Sequence, residues 1–104
     1  MTSESPKNVE RTIAQKTGGT RVGVTGKATP DVVNDWLSIE VKSRQRLPLW
    51  LKNAMAQAKR NAIEGTLAIV VLHEKRQRYD DDIVMMTLKD FNDWFGGADG
   101  NQST

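Results

Sequence analysis

Asp31, Glu40 and Lys42 are the residues whose types and spacing point to chemistry. Glu40 and Lys42 stand two apart in an alternating stretch, so on a strand both side chains leave one face. Asp31 follows Pro30 and lies one hairpin turn earlier, so antiparallel pairing sets it beside Glu40. Two carboxylates held together repel unless a cation joins them, and hard oxygen ligands suit Mg²⁺ or Mn²⁺. A lysine beside such an ion can orient or deprotonate a water, or stabilise charge developing on a phosphoryl group. An acid-x-Lys triplet alone is common, and a chain of this composition holds roughly one by chance. Position adds the content. The triplet lies on a strand, follows a Pro-Asp by a hairpin's length and precedes a basic amphipathic helix.

The elements that must position these residues follow from local patterning. Ser5 and Pro6 read as an N-cap and first helical residue, Val9, Ile13 and Ala14 recur at helical spacing, and Gly18–Gly19 ends the helix. Thr20–Val24 alternates as a strand. Asp31–Val33 and Trp36–Lys42 read as two strands joined at Asn34–Asp35, with Leu37, Ile39 and Val41 on one face and Ser38, Glu40 and Lys42 on the other. Leu47–Glu64 is the strongest helix, with Leu47, Trp50, Leu51, Ala54, Met55, Ala58 and Ala62 in one stripe and Gly65 placed to end it. Leu67–Leu72 is an unbroken apolar run that suits a strand buried on both faces. Gln77–Asp81 is a polar turn, and Ile83–Met86 a further buried strand. Thr87 and Asp90 make a capping-box-like start for a last helix carrying Leu88, Phe91, Trp94 and Phe95. The order is helix, three strands, helix, two strands, helix. It predicts an α/β domain over residues 6–95 with a mixed central sheet flanked by helices. Residues 1–5 and 96–104 are expected as disordered tails. The crossover helix should bring Leu67–Leu72 in parallel to its neighbour.

Composition narrows the chemistry. The chain has 104 residues and no cysteine, which excludes disulfides, thiolate zinc sites and a cysteine nucleophile. His73 is the single histidine, so no mechanism with two imidazoles is available. No apolar run approaches a membrane span and the first residues do not resemble a signal peptide, so a cytoplasmic location is expected. The net charge of +2 hides an asymmetry: residues 11–63 hold ten basic and three acidic residues, residues 64–104 four basic and eight acidic. A basic half fits a polyanion partner, though a solvated surface reads the same way. Arg21, Arg44, Arg46, Lys52, Lys59 and Arg60 are the candidate contacts to a phosphate backbone.

Other residues compete for these roles. Asp35 is an alternative to Asp31, but its place in the turn accounts for it by local hydrogen bonding. His73 reads as a satisfied strand-end histidine, and Asp80, Asp81 and Asp82 as a solvated turn, since they lack a spaced calcium loop. Trp36, Trp50 and Trp94 could stack on bases, but Trp50 and Trp94 fall on apolar helical faces and read as core or dimer contacts. The apolar load of Trp50, Met55, Met85, Met86, Phe91, Trp94 and Phe95 is heavy for so small a chain and suggests a homodimer.

These residues resemble the PD-(D/E)xK nuclease superfamily, and within it the small Holliday-junction-resolvase-like endonucleases common in phages and archaea. The resemblance runs from about Val9 to Leu88 and rests on Glu10, Gly18–Arg21, Pro30–Asp31, Ile39–Glu40–Val41–Lys42 and Gln57. It implies a restriction-endonuclease-like α-β-β-β-α-β core and a metal-dependent endonuclease acting on branched DNA. It implies Asp31 and Glu40 as metal ligands with the Val41 carbonyl as a third oxygen, and Lys42 as the residue that activates water or holds the scissile phosphate. Glu10 would take the place of the first-helix acid, and Gln57 that of the helix glutamine near the metal and DNA backbone. A phage-encoded protein acting in a bacterial cytoplasm fits this picture. Other activities of the same fold, whether nicking, exonucleolytic or restriction-type, and a non-catalytic DNA-binding module are the alternatives.

Overall fold

A computed structural model describes residues 4–96. The element order is α1 (Pro6–Thr17), β1 (Thr20–Arg21), β2 (Val32–Val33), β3 (Ser38–Ile39), α2 (Leu49–Asn61), β4 (Val70–Leu72), β5 (Ile83–Met85) and α3 (Leu88–Phe95), with a 3₁₀ turn at Tyr79–Asp81. This is a mixed α/β chain with the expected sequence of elements. The expected single mixed sheet is not what forms. β1, β2 and β3 make one antiparallel sheet in that order, and β4 and β5 make a second antiparallel pair. β4 therefore has an antiparallel partner rather than a parallel one. The described chain groups into two compact units, residues 4–45 with 95–96, and Arg46–Trp94. The expected tails reach outside the described residues, at residues 1–3 and 97–104.

In the first unit, α1 starts where the sequence places its cap. The Asn8 amide donates to Ser5 Oγ at 3.2 Å, and Pro6 needs no partner for a missing N–H. Gly18 closes the helix in the left-handed region at φ 71°, with the Gly19 amide donating to the Ala14 carbonyl at 2.8 Å. Packing of α1 on β1 and β2 buries Ala14, Thr17 and Val32, the last completely. Full burial of a valine side chain contributes about 1.5–3 kcal/mol. Gly19 is dictated by this packing: a Cβ there would come within 2.7 Å of Val32 Cγ1 and 2.8 Å of the Val33 carbonyl oxygen.

The β2–β3 hairpin turns on Asn34, whose Oδ1 accepts from the Trp36 and Leu37 amides at 3.0 and 2.8 Å. Its Nδ2 donates to the Thr17 carbonyl at 3.0 Å, tying the turn to α1. Asp35 lies in this turn and is exposed, as its turn reading requires. Leu37, Ile39 and Val41 are half-buried while Ser38, Glu40 and Lys42 are exposed, so the expected alternation holds through Lys42 although the ladder itself is short.

In the second unit, α2 begins at Leu49 rather than Leu47, because a residue before proline is disfavoured in the helical region and Pro48 is the cap. It ends at Asn61, with Ala62 already extended, so Gly65 lies beyond the helix and does not end it. The stripe Leu51, Ala54, Met55 and Ala58 is half-buried, and α2 lies against β4. The β4–β5 pair is not buried on both faces: Val71 and Val84 are cross-strand partners, and each is more than half exposed. A two-stranded sheet with one helix against it has only one covered face. Trp50 and Trp94, expected as core or dimer residues, are 61% and 52% exposed on the single chain, which removes the core reading. α3 starts as predicted, with the Asp90 amide donating to Thr87 Oγ1 at 3.2 Å.

Candidate functional site

The site assembles where the β2–β3 ladder stops. The last paired residues are Val32 and Ile39, and the Asp31 amide then donates to the Ile39 carbonyl at 2.9 Å. Continued pairing would give the Val41 amide a backbone acceptor on the neighbouring strand. Instead it donates to Asp31 Oδ2 at 2.7 Å. That distance is short for a backbone donor and fits an ionised acceptor. The Asp31 carboxylate is thereby fixed against the segment that carries Glu40 and Lys42. On the other side, the Val22 amide donates to the Asp31 carbonyl at 3.0 Å, so the residue just after β1 braces Asp31 as well.

Glu40 Oε2 lies 3.1 Å from Lys42 Nζ, and both side chains are mostly exposed. An exposed pair of this kind contributes about 0–1 kcal/mol, so the ammonium can exchange its partner for a phosphate at little cost. Glu10 on α1 is held differently. Its Oε1 accepts from Arg21 Nε at 2.8 Å, and the two side chains are only 19% and 22% exposed. Arg21 in turn is the cross-strand partner of Val32, the neighbour of Asp31. The first unit thus ties Asp31 to the Val41 amide, between Glu40 and Lys42 in the chain, with the Glu10–Arg21 pair on the adjoining helix and strand.

Asp31, Glu40 and the Val41 carbonyl offer hard oxygen donors only, a chemistry that suits Mg²⁺ with water and phosphate completing the shell. The structure ties Asp31 to the Val41 amide and Glu40 to Lys42. A closed protein cage is not present: among the described residues, no group of three or more acidic, histidine or cysteine side chains is arranged to hold a cation.

The basic candidates divide between the units. Arg21 is engaged by Glu10, and Arg44 is exposed with its guanidinium donating to the Ser43 carbonyl at 2.9 Å. In the second unit, Arg46, Lys52 and Arg60 are exposed, and Lys59 pairs with Asp90 at 2.9 Å. That ammonium's hydrogen bond holds the Asp90 carboxyl below its ordinary value, with Lys59's charge, Thr87 and Lys89 adding to the effect against a smaller cost of burial. Gln57 is exposed on α2.

Sequence reasoning did not foresee the Asp31–Val41 hydrogen bond or the Glu10–Arg21 pair. Neither has a local signature, because each joins residues ten or more apart. It did foresee a satisfied His73, whose Nδ1 lies 2.7 Å from Asp82 Oδ1. Asp80 and Asp81 are exposed as a solvated turn requires, but the Asp82 side chain is 8% exposed and belongs to the histidine instead. Comparison of the chain with protein families, with curated proteins and with solved structures finds no match in any of the three.

Proposed function

We propose that this chain is a divalent-metal-dependent DNA endonuclease that hydrolyses phosphodiester bonds, acting on branched, four-way-junction-like DNA as a homodimer. The observation that carries the reading is the 2.7 Å bond from the Val41 amide to Asp31, which sets one carboxylate beside the Glu40–Lys42 segment. Asp31, Glu40 and the Val41 carbonyl would hold Mg²⁺ or Mn²⁺. Bound there, the ion would polarise a phosphoryl oxygen and lower the pKa of a water. Lys42 is exposed, and would hold a non-bridging phosphate oxygen as negative charge builds on it. The attacking water's oxygen forms the new bond to phosphorus as the ester bond breaks, and its proton is passed to the departing oxygen. Arg44, Arg46, Lys52 and Arg60 are exposed and available to the phosphate backbone.

The dimer rests on apolar surface. Trp94 and Phe95 at the end of α3 are about half exposed, apolar surface that a second copy would cover. Two copies would supply one cut on each of two symmetric strands. No helix among the described residues is long and apolar enough to cross a membrane.

The test is cleavage of a four-way junction, a matched duplex and a single strand, with and without Mg²⁺ or Mn²⁺. Metal-dependent cutting of the junction in preference to the others supports the whole reading. Cutting of all three alike keeps the chemistry and removes the junction preference. DNA binding with no cleavage under any metal favours the non-catalytic module.

A further inference from the structure

The second unit contains a recess of about 430 Å³ with a character unlike the acidic site. Its apolar walls include Trp50 of α2 with Val71 and Ile83 of the β4–β5 pair, and its polar lining is His73, Glu74 and Gln77. Trp50 is 61% exposed, so its indole is presented rather than packed away.

The polar lining is organised by one buried carboxylate. Asp82 Oδ1 lies 2.7 Å from His73 Nδ1 and accepts from Gln77 Nε2 at 3.2 Å, and the Asp82 side chain is 8% exposed. The Tyr79 ring stacks on the imidazole with centroids 4.5 Å apart and planes 9° from parallel. These contacts fix the ring's plane, and an ionised Asp82, which can only accept, makes Nδ1 the donor. With Nδ1 donating to Asp82, the remaining nitrogen, Nε2, of neutral His73 is an acceptor. With its amide nitrogen donating to Asp82, Gln77 has its carbonyl oxygen left to offer, and Glu74 is an acceptor when ionised. The recess therefore pairs an exposed aromatic wall with a lining rich in acceptors. That combination selects a flat, weakly hydrated ring that carries N–H donors.

We infer that this recess binds a single unstacked nucleobase bearing an exocyclic amino group, with Trp50 as the stacking surface and His73 and Gln77 as the acceptors. Adenine and cytosine present such an amine. Guanine shares it, whereas thymine offers a single imide N–H flanked by two carbonyl oxygens, which face the acceptors of the lining. The source of the base, a DNA strand opened near a branch, rests on the nuclease reading above, whereas the recess itself would also take a free nucleotide.

The experiment is a nuclear magnetic resonance titration of the full ¹⁵N-labelled chain at neutral pH without metal. The probes are the monophosphates of deoxyadenosine, deoxycytidine and thymidine, deoxyribose 5-phosphate, and short adenine and thymine oligonucleotides. The adenine and cytosine nucleotides should move the Trp50 indole and His73 ring resonances and leave those of Trp36 and Trp94 in place. Thymidine monophosphate should bind several-fold more weakly. An adenine oligonucleotide that binds tighter than the mononucleotide assigns the base to a strand, and equal binding assigns it to a free nucleotide. Trp50→Ala should weaken binding by roughly tenfold or more, the scale of losing one base-stacking ring. The wild-type titration stands alone should that variant not fold. No movement of Trp50 at about 10 mM nucleotide, where even millimolar binding is visible, overturns the inference. Equal movement with deoxyribose 5-phosphate, or equal affinity for thymidine monophosphate, also overturns it. Because neither metal nor cleavage enters the readout, base binding without any DNA cutting removes the nuclease reading alone. DNA cutting with Trp50 unmoved removes this inference alone.

Discussion

Replacing Asp31 separates its two tasks, holding the Val41 amide and supplying charge. Asparagine keeps a side-chain oxygen that can accept the Val41 N–H, now as a neutral bond, whereas alanine leaves that amide without the acceptor found at 2.7 Å. A hydrogen bond to a charged group contributes about 1.5–3 kcal/mol and a neutral one about 0.5–1.5, so Asp31→Asn should cost about 1 kcal/mol. Asp31→Ala forfeits the whole bond, about 1.5–3 kcal/mol. For a domain of this size each 1 kcal/mol lowers the midpoint by about 4–8 °C, so circular dichroism melts resolve the two variants. Relief of carboxylate repulsion alone would instead make both variants more stable than wild type, and the hydrogen bond is the reason to expect the opposite. Cleavage, assayed well below either midpoint, should fall by on the order of 10²-fold or more in both, because both lose the ligand charge. Asp31→Asn cutting at near the wild-type rate would refute the ligand assignment. Equal melting losses in Asn and Ala would refute the account of the Val41 bond.

Lys42→Ala should reduce the cleavage rate by on the order of 10²-fold with a much smaller loss of DNA affinity, since its exposed pair with Glu40 does little for stability; equal losses in both would make it one more backbone contact. Arg21→Met and Glu10→Gln should each destabilise by about 1–3 kcal/mol, and the double variant by less than the sum, because both break one largely covered ion pair; additive urea-unfolding losses would show that the pair contributes nothing jointly. Asp90 titrates below its ordinary value of 3.8 through the Lys59 hydrogen bond, so its contribution to stability is present above that value and fades as pH falls through its lowered one. A carboxyl ¹³C titration should show this depression in wild type and its loss in Lys59→Gln.

Local signals in the sequence carried most of the element order. Ser5 with Pro6, Gly18, and Thr87 with Asp90 are self-contained caps, legible because their hydrogen bonds span only a few residues. Sheet partition was not legible, because pairing is set between distant segments. Leu67–Leu72 reads as a doubly buried strand by composition, yet an apolar run looks the same whether one face is covered or two. Val71 and Val84, paired and open on one face, show which applies. At the candidate site, residue types and the hairpin spacing single out Asp31, Glu40 and Lys42. The break in the ladder that turns the Val41 amide onto Asp31 depends on backbone geometry that no spacing rule encodes.

The central claim is that Asp31 and Glu40 hold the ion on which DNA hydrolysis depends. Its most direct measurement is the single-turnover cleavage rate of a labelled four-way junction against Mg²⁺ concentration, for wild type and Glu40→Gln in parallel. The account predicts a wild-type rate that rises and saturates with Mg²⁺ and vanishes in chelator. It predicts a Glu40→Gln rate at least about 10²-fold lower at every Mg²⁺ concentration. Cleavage that persists in chelator, or a Glu40→Gln curve that overlays the wild type, would contradict it.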